Sequence, residues 1–428
     1  MHPILRIFGI ASVFVLSTIA WMILGASTSS RATTQQVSLS GQVSELWGRP
    51  QQQPAPVLTF HWTTTREETR TEQENGRTKL VKAIVTDAHQ KAASPASSDI
   101  DVALHLDRRL KGLIWYALYD VTLQGKWTYL HAEPEAGQLA IQFAFPDPQG
   151  IYDDFQLLVD GQPRAEANDL SNGAVETTIP VAPGQEISLQ IRYKSRGMDQ
   201  WSYQPSNGVA SLRNFHLRVT TDFEDIDFAP STMSPSSKTE RDHGWTLDWS
   251  FERVVTGRAI GLSMPTPIQP GELAAALSFS APISLFFFFL IIFVLAALRG
   301  LEVHPINYLF LAGAFFSFHL LFAYSVDHLE VVPAFLLSSG VTLALVVSYL
   351  RLVVSNRFAF LEAAAAQLVY LIGFSLAHFW EGYTGLTVTV LSIVTLALLM
   401  QLTGRVRWSE LLSRSRPQNS APTGRPPS

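Results

Sequence analysis

Six stretches of the chain are apolar for about the length that crosses a hydrocarbon core, and one long block between the first two is not. Residues 4–25 form a continuous apolar run with Arg6 near its start. After residue 270 five more runs follow, at 273–298, 307–326, 331–354, 360–380 and 386–403. About 20 residues at 1.5 Å each span a bilayer core, so the pattern predicts six transmembrane helices. Leu24-Gly25-Ala26 would serve as a small-residue cleavage site, which leaves a signal peptide as the alternative for the first run. Its length exceeds the usual apolar core of such a peptide, and an uncleaved anchor is the expectation.

The block at 30–270 has a different period. Leu113-Ile-Trp-Tyr-Ala-Leu-Tyr-Asp-Val-Thr-Leu is dense in aromatic and β-branched residues, and the segments 139–145, 186–193 and 211–221 alternate apolar with polar. Alternation with period two is the signature of half-buried strands. Turn signals separate them: Pro146-Asp-Pro-Gln-Gly150, Asp160-Gly161, Asn172-Gly173 and Pro183-Gly184. The expectation is a β-rich, sandwich-like domain of antiparallel sheets, in one sandwich or two. Residues 63–98 are polar and read as a long hairpin or mobile excursion. The fold class is thus a membrane α-helical bundle plus a β-rich extracytoplasmic domain, divided as an anchor at 1–29, the β domain at 30–270, five membrane helices at 271–404 and a tail at 405–428 rich in Arg and Pro.

Charge orients this plan. Residues 271–404 carry 9 charged side chains and no Lys, whereas 30–270 carry 22 basic and 29 acidic ones. With the N-terminus inside, Arg6, Arg299, Arg351, Arg357 and the tail arginines fall on the cytoplasmic side. The short outer loops near 327–330 and 381–385 carry no Lys or Arg, as the positive-inside rule requires. The β domain then lies outside the cytoplasm, and both termini lie inside. An acidic soluble block argues against nucleic acid as a partner, and the lipid bilayer is the partner the runs imply. The absence of Cys excludes disulfides, thiol catalysis and Cys-ligated metals.

Little in the chain points to catalysis or to a cofactor. There is no G-x-S-x-G, no Walker A loop, no G-x-G-x-x-G and no H-E-x-x-H. His61, His89, His105, His131, His216 and His243 are scattered and read as ordinary surface or strand residues. Asp153-Asp154 and Glu224-Asp225 with Asp227 are acidic groups that could serve glycoside hydrolysis or hold Ca²⁺, though solvated loop carboxylates are the simpler reading. Trp115, Trp127, Trp201, Trp245 and Trp249 are expected in the β core rather than in a sugar-stacking platform. In the apolar block, His319 at mid-span, Glu362 just inside a span and His378 near an outer end are candidates because intramembrane ionisable groups default to a functional hypothesis. For His319 an interhelical hydrogen bond is favoured over an ion or proton path. His304-Pro305 opens one span, where proline suits a first turn. Asp327-His328 closes the same span and could bond across an interface.

These residues carry a resemblance. His304-Pro-Ile-Asn-Tyr308, Asp327-His328 and Tyr349 are spaced as in the C-terminal membrane domain of the CreD family of bacterial inner-membrane proteins. Thr403-Gly-Arg-Val-Arg-Trp408 is similar to that family's closing segment. Upstream, Leu46-Trp47-Gly48 with Pro56-Val57-Leu58, Arg109-Leu-Lys-Gly112 with Tyr119, and Asp147-Pro-Gln-Gly150 resemble its periplasmic motifs. Asn307 stands for a Gln of that pattern, Lys111 and Gln149 for Arg, and Asp327 for Glu. The resemblance implies an inner-membrane protein tied to cell-envelope integrity, with no enzymatic activity and no cofactor, and makes Arg109, Gly112, His304, Pro305, Tyr308, Asp327, His328 and Tyr349 candidate functional positions. The expected role is binding or sensing of an envelope component, or of a membrane-protein partner. The alternatives are a small-molecule or ion permease built on the last five spans and, less favoured, a periplasmic carbohydrate-active enzyme.

Overall fold

The computed structural model describes residues 3–74, 77–111, 114–164, 173–301, 303–380 and 382–404. The chain divides into two compact units, one made of residues 1–37, 112–114 and 268–428 and the other of 38–111 and 115–267.

The first unit is helical. Among the described residues six helices are long and apolar enough to cross a membrane. They are α1 (Pro3–Trp47), whose residues from Ser38 on belong to the second unit, α2 (Pro270–Leu298), α3 (Pro305–Ser325), α4 (Val331–Val353), α5 (Phe358–Phe379) and α6 (Thr384–Thr403). Phe288, Phe315, Phe318 and Phe322 pack with Trp21 and Leu285 in one interior cluster. Phe8, Leu16, Leu352 and Met400 point outward. Apolar side chains both inside and outside are what a bundle dissolved in lipid requires. Two stretches of α5, Phe358–Ala363 and Leu368–Gly373, wind as π-helix. Ser284 of α2 donates its hydroxyl to the Tyr370 carbonyl in the second of them.

One difference from expectation stands at the start of the β block. Residues 30–47 are helical, so α1 runs 45 residues, about 68 Å at 1.5 Å per residue and roughly twice a hydrocarbon core. Ser and Thr crowd this stretch and weaken its helix signal, but no proline interrupts it. Its end is built in. Gly48 takes φ +115°, its N–H bonds the Ser44 carbonyl at 3.0 Å, and Pro50 follows.

The second unit is the β domain. An eight-stranded sheet has the order β14 (Ser237–Glu240), β15 (Trp245–Thr256), β12 (Ala210–Thr221), β4 (Ser97–Lys111), β5 (Ile114–Leu130), β10 (Glu186–Met198), β7 (Tyr152–Val159) and β8 (Gln162–Pro163). A four-stranded sheet joins β3 (Arg77–Ala93), β2 (Val57–Glu74), β6 (Gly137–Ala144) and β9 (Ala174–Val181). Another joins β1 (Gln51–Pro54), β11 (Gln200–Gln204), β16 (Ile260–Ser263) and β13 (Asp227–Phe228). Alternation decides the faces: along β10, Ile187, Leu189, Ile191 and Tyr193 are buried while Arg192, Lys194 and Arg196 are exposed. One apolar cluster takes side chains from all three sheets. Trp127, Trp201 and Trp249 are fully buried in it, as expected of core aromatics. The 63–98 stretch is a paired hairpin, β2 against β3 in register from Leu58↔Ala93 to Glu74↔Arg77.

Candidate functional site

The membrane candidates fall into three joints of the helical unit. At the start of α3, His304 is the N-cap and its Nδ1 accepts the Ile306 N–H at 3.3 Å. Pro305 fills the first turn, where its missing N–H costs nothing. It lies so close to α1 that a Cβ on Gly9 would stand 3.0 Å from the Pro305 ring. Tyr308 is buried edge-on to Phe289 at 5.1 Å, with Arg6 of α1 beside its hydroxyl. The Tyr349 hydroxyl of α4 donates to Asn307 Oδ1 at 2.9 Å. Pro305, Tyr308 and the Tyr349–Asn307 bond therefore tie α3 to α1, α2 and α4, while His304 caps α3 itself.

At the other end of α3, Asp327 pairs with Arg31 of α1 at 3.2 Å. Arg31 also donates to the Ala323 carbonyl at 2.8 Å, and its guanidinium lies 4.8 Å from the Tyr324 ring centroid. Asp327 thus bonds across an interface, but through Arg31; His328 is exposed beside it. The third joint is an ion pair of Arg299, just after α2, with Glu362 of α5. Glu362 is therefore a partner in a structural contact. His319 is buried and bonds the Phe315 carbonyl of its own helix at 3.1 Å, with Trp21 of α1 edge-on at 5.6 Å. The expected interhelical bond is replaced by an intrahelical one, the cheapest way to satisfy a buried ring nitrogen. His378 is half-buried in the 3₁₀ turn that ends α5.

Two of the periplasmic-type motifs, far apart in sequence, meet in one place in the β domain. The Trp47 ring lies between two guanidiniums, Arg109 at 4.2 Å and Arg196 at 5.1 Å from its centroid. Each cation is held from behind, Arg109 by Asp107 at 2.8 Å and Arg196 by Asp120 at 3.1 Å. Beside this stack, Gly48 presses on the backbone of β10: a Cβ there would stand 2.5 Å from the Arg196 carbonyl oxygen. That carbonyl also accepts from Gln51 Nε2 at 2.7 Å. Tyr119 donates to the Gln200 carbonyl at 2.8 Å under Gly197, where a Cβ would collide with the phenol. Burial holds the Tyr119 hydroxyl well above its ordinary pKa, so it stays a donor at any physiological pH. Gly112 lies outside the described residues. In the Asp147–Gly150 turn, Asp147 Oδ1 accepts the Gln149 N–H at 2.9 Å and its carbonyl accepts the Gly150 N–H at 3.0 Å.

Asp153 and Glu224 do not form a hydrolytic pair with each other. Asp153 is on β7 and Glu224 follows β12, with β4, β5 and β10 between those strands. Four steps of about 4.8 Å separate them by roughly 19 Å along the sheet, twice the spacing of paired glycosidase carboxylates. Asp154 is bound to Lys194 at 2.6 Å, which holds its carboxyl below the usual range. Among the described residues no group of three or more His, Asp or Glu side chains is placed to hold a metal.

Arg31 and Arg196 were not singled out in the sequence, and Arg299 was marked only for its charge at the cytoplasmic side. Arg31 had a signal: it is a lone cation six residues past an apolar run, on the side of the span opposite Arg6.

Among solved structures, a Legionella pneumophila protein described as a candidate nutrient binding protein is 11% identical, over 57% of this chain and 96% of that one, with a TM-score of 0.29. An M1 zinc metallopeptidase from Deinococcus radiodurans is 13% identical, over 77% and 97%, with a TM-score of 0.23. At scores this low neither likeness bears on fold or activity. No curated protein matches the sequence. The model of the family described as inner membrane protein CreD matches residues 2–266 and 276–409, nearly the whole chain. Together with six apolar helices and the β domain between the first two, that match settles the family: the chain belongs to the CreD family of inner membrane proteins.

Proposed function

We propose that the protein contributes to cell-envelope integrity or to the envelope-stress response without catalysing a reaction, its β domain binding or sensing an envelope component outside the cytoplasm. The observation that carries this reading is the insertion of an entire β domain between the first and second membrane helices. A chain that enters the bilayer from inside emerges at that point on the outer side, and the arginines at 6, 299, 351 and 357 favour the N-terminus inside. Arg31 lies on the outer side and runs against that bias, outnumbered by these four arginines. The permease alternative loses part of its motive, since Glu362 is engaged by Arg299.

The test is growth of a clean deletion strain under detergent and β-lactam stress, with and without the gene restored. Sensitivity that the gene reverses is the expected result. A strain indistinguishable from its parent under both stresses refutes the role, and uptake assays then become the next measurement.

A further inference from the structure

From the outer face of the eight-stranded sheet, we infer a binding site for an anionic, N-acylated saccharide. The inference deepens the envelope-binding reading and rests on it. A recess of about 320 Å³ opens on that face across β4, β5, β10 and β7. Strand register places its side chains in two rows. Arg192 of β10 stands opposite Gln124 of β5 on one side and Gln156 of β7 on the other. One step along, Gln190 stands opposite Lys126 and Leu158. With strands about 4.8 Å apart and same-face residues about 6.8 Å apart, the six cover roughly 10 by 7 Å, the footprint of one or two sugar rings.

What these groups lack is as informative as where they stand. Among the described residues, Gln124, Gln156, Gln190, Lys126 and Arg192 make no side-chain hydrogen bond or ion pair with the protein. The neighbouring wall differs. On β4, Asp99 accepts from His216 at 2.8 Å, and Arg218 binds Asp248 at 2.9 Å opposite Asp101 in register. Asp99 is thus engaged by His216, and Asp101 stands across from the Arg218 cation without bonding it; two cations and three amides of the recess have no hydrogen-bonded partner among the described residues. Each amide offers an acceptor and two donors, the complement of hydroxyl and N-acyl groups. The two cations stand on a diagonal about 8 Å apart and complement a carboxylate. Leu158 supplies an apolar patch for a ring face. An unmodified neutral sugar could use the amides but would offer neither cation an ion pair.

The experiment titrates the full-length protein in detergent micelles with N-acetylmuramoyl-L-alanyl-D-isoglutamine, which carries an N-acetyl sugar and a carboxylate, and with the neutral dimer of N-acetylglucosamine. Calorimetry reads both. The expected result is saturable binding of the acidic probe, at least fivefold weaker binding of the neutral one, and weakening of the acidic probe by raised salt. A Lys126→Gln/Arg192→Gln variant should lose at least tenfold in affinity with its circular-dichroism melt unchanged, because both side chains are exposed. A Gln124→Ala/Gln190→Ala variant should weaken both probes. No binding, equal binding of the two probes, or affinity unmoved by the cation variant overturns the site. The deletion strain separates the two readings. If wild type and cation variant rescue it equally, the envelope role stands and the site falls. If deletion has no effect, the envelope role falls and the titration judges the site alone.

Discussion

Substituting Gly48 by Ala should loosen the end of α1 from strand β10, and the size of the effect can be worked from the geometry. Gly48 has φ +115°, a conformation that costs an L side chain about 1–2 kcal/mol. Its new Cβ would stand 2.5 Å from the Arg196 carbonyl oxygen, so that backbone atom must move. The same carbonyl accepts the Gln51 amide at 2.7 Å, and weakening one partly buried bond costs about 1 kcal/mol. The sum is about 2–3 kcal/mol, or roughly a 30-fold or greater rise in local opening at 1.4 kcal/mol per decade. Gly41 is the internal control: it lies in the same helix with nothing within 4 Å of a built Cβ, so Gly41→Ala should stabilise by about 0.5–1 kcal/mol. Hydrogen exchange by mass spectrometry on the full-length protein in detergent reads both variants, because it localises opening when two units can unfold separately. Peptides covering 44–54 and 186–198 should lose protection in Gly48→Ala and keep it in Gly41→Ala. Unchanged or increased protection of both peptides in Gly48→Ala would refute the close approach.

The Arg31–Asp327 pair is partly screened, with side-chain exposures of 29% and 25%, so a double-mutant cycle with Arg31→Ala and Asp327→Ala should show a coupling of about 1 kcal/mol in thermal unfolding in micelles; additivity would remove the contact. Tyr349→Phe should cost about 1–2 kcal/mol in the same assay, since it leaves the buried Asn307 amide without its donor, and a melt equal to wild type would count against the bond. Lys194 holds the Asp154 carboxyl below its ordinary 3.8. The small stability it lends is present above about pH 4 and lost as pH falls through the folded-state value. Wild type and Lys194→Gln should therefore differ slightly at pH 6 and converge near pH 2; a difference that grows on acidification would reverse the sign. Trp47→Leu should raise exchange at Arg109 and Arg196 together, because both guanidiniums stack on that ring, and an effect on one alone would contradict the shared stack.

The period of the chain carries most of the architecture. Runs of twenty apolar residues have few alternatives to a membrane helix, and alternation along β10, or along β12 from Phe215 to Val219, has few alternatives to a strand with one buried face. The helix from residue 30 to 47 was not legible in the same way. Its Ser, Thr and Gln residues carry neither strong propensity nor an apolar stripe, and it continues a helix already nucleated in the apolar run, a cooperative effect that local composition does not display. The π-turns of α5 were likewise invisible, because they arise where one backbone bond slips against a neighbouring helix. Site residues divide on the same line. Tyr349 and Asp327 were marked by their types and positions, but their partners Asn307 and Arg31 lie 42 and 296 residues away. Sequence identifies an ionisable group more readily than it identifies the group that neutralises it.

That asymmetry bears on how the recurrent residues of this chain act. An acid beside a histidine at the end of a membrane helix invites a proton-transfer reading. Here the acid is occupied by a guanidinium from α1, the histidine beside it is exposed, and the His-Pro at the opposite end of α3 caps and packs rather than reacts. The Trp47 stack with Arg109 and Arg196 is of the same kind, a polar joint whose two cations are each held by a second contact. Groups already paired are poorer candidates for meeting a ligand, since binding would first have to break bonds already formed. The recess on the outer face of β5, β7 and β10 instead gathers solvent-facing donors and acceptors in one place, and no motif marks them. On this logic the motifs maintain a shape, and substitutions in them should lower abundance before they alter recognition. Changes at Lys126 and Arg192 should do the reverse, leaving the protein folded in the membrane and deaf to its ligand.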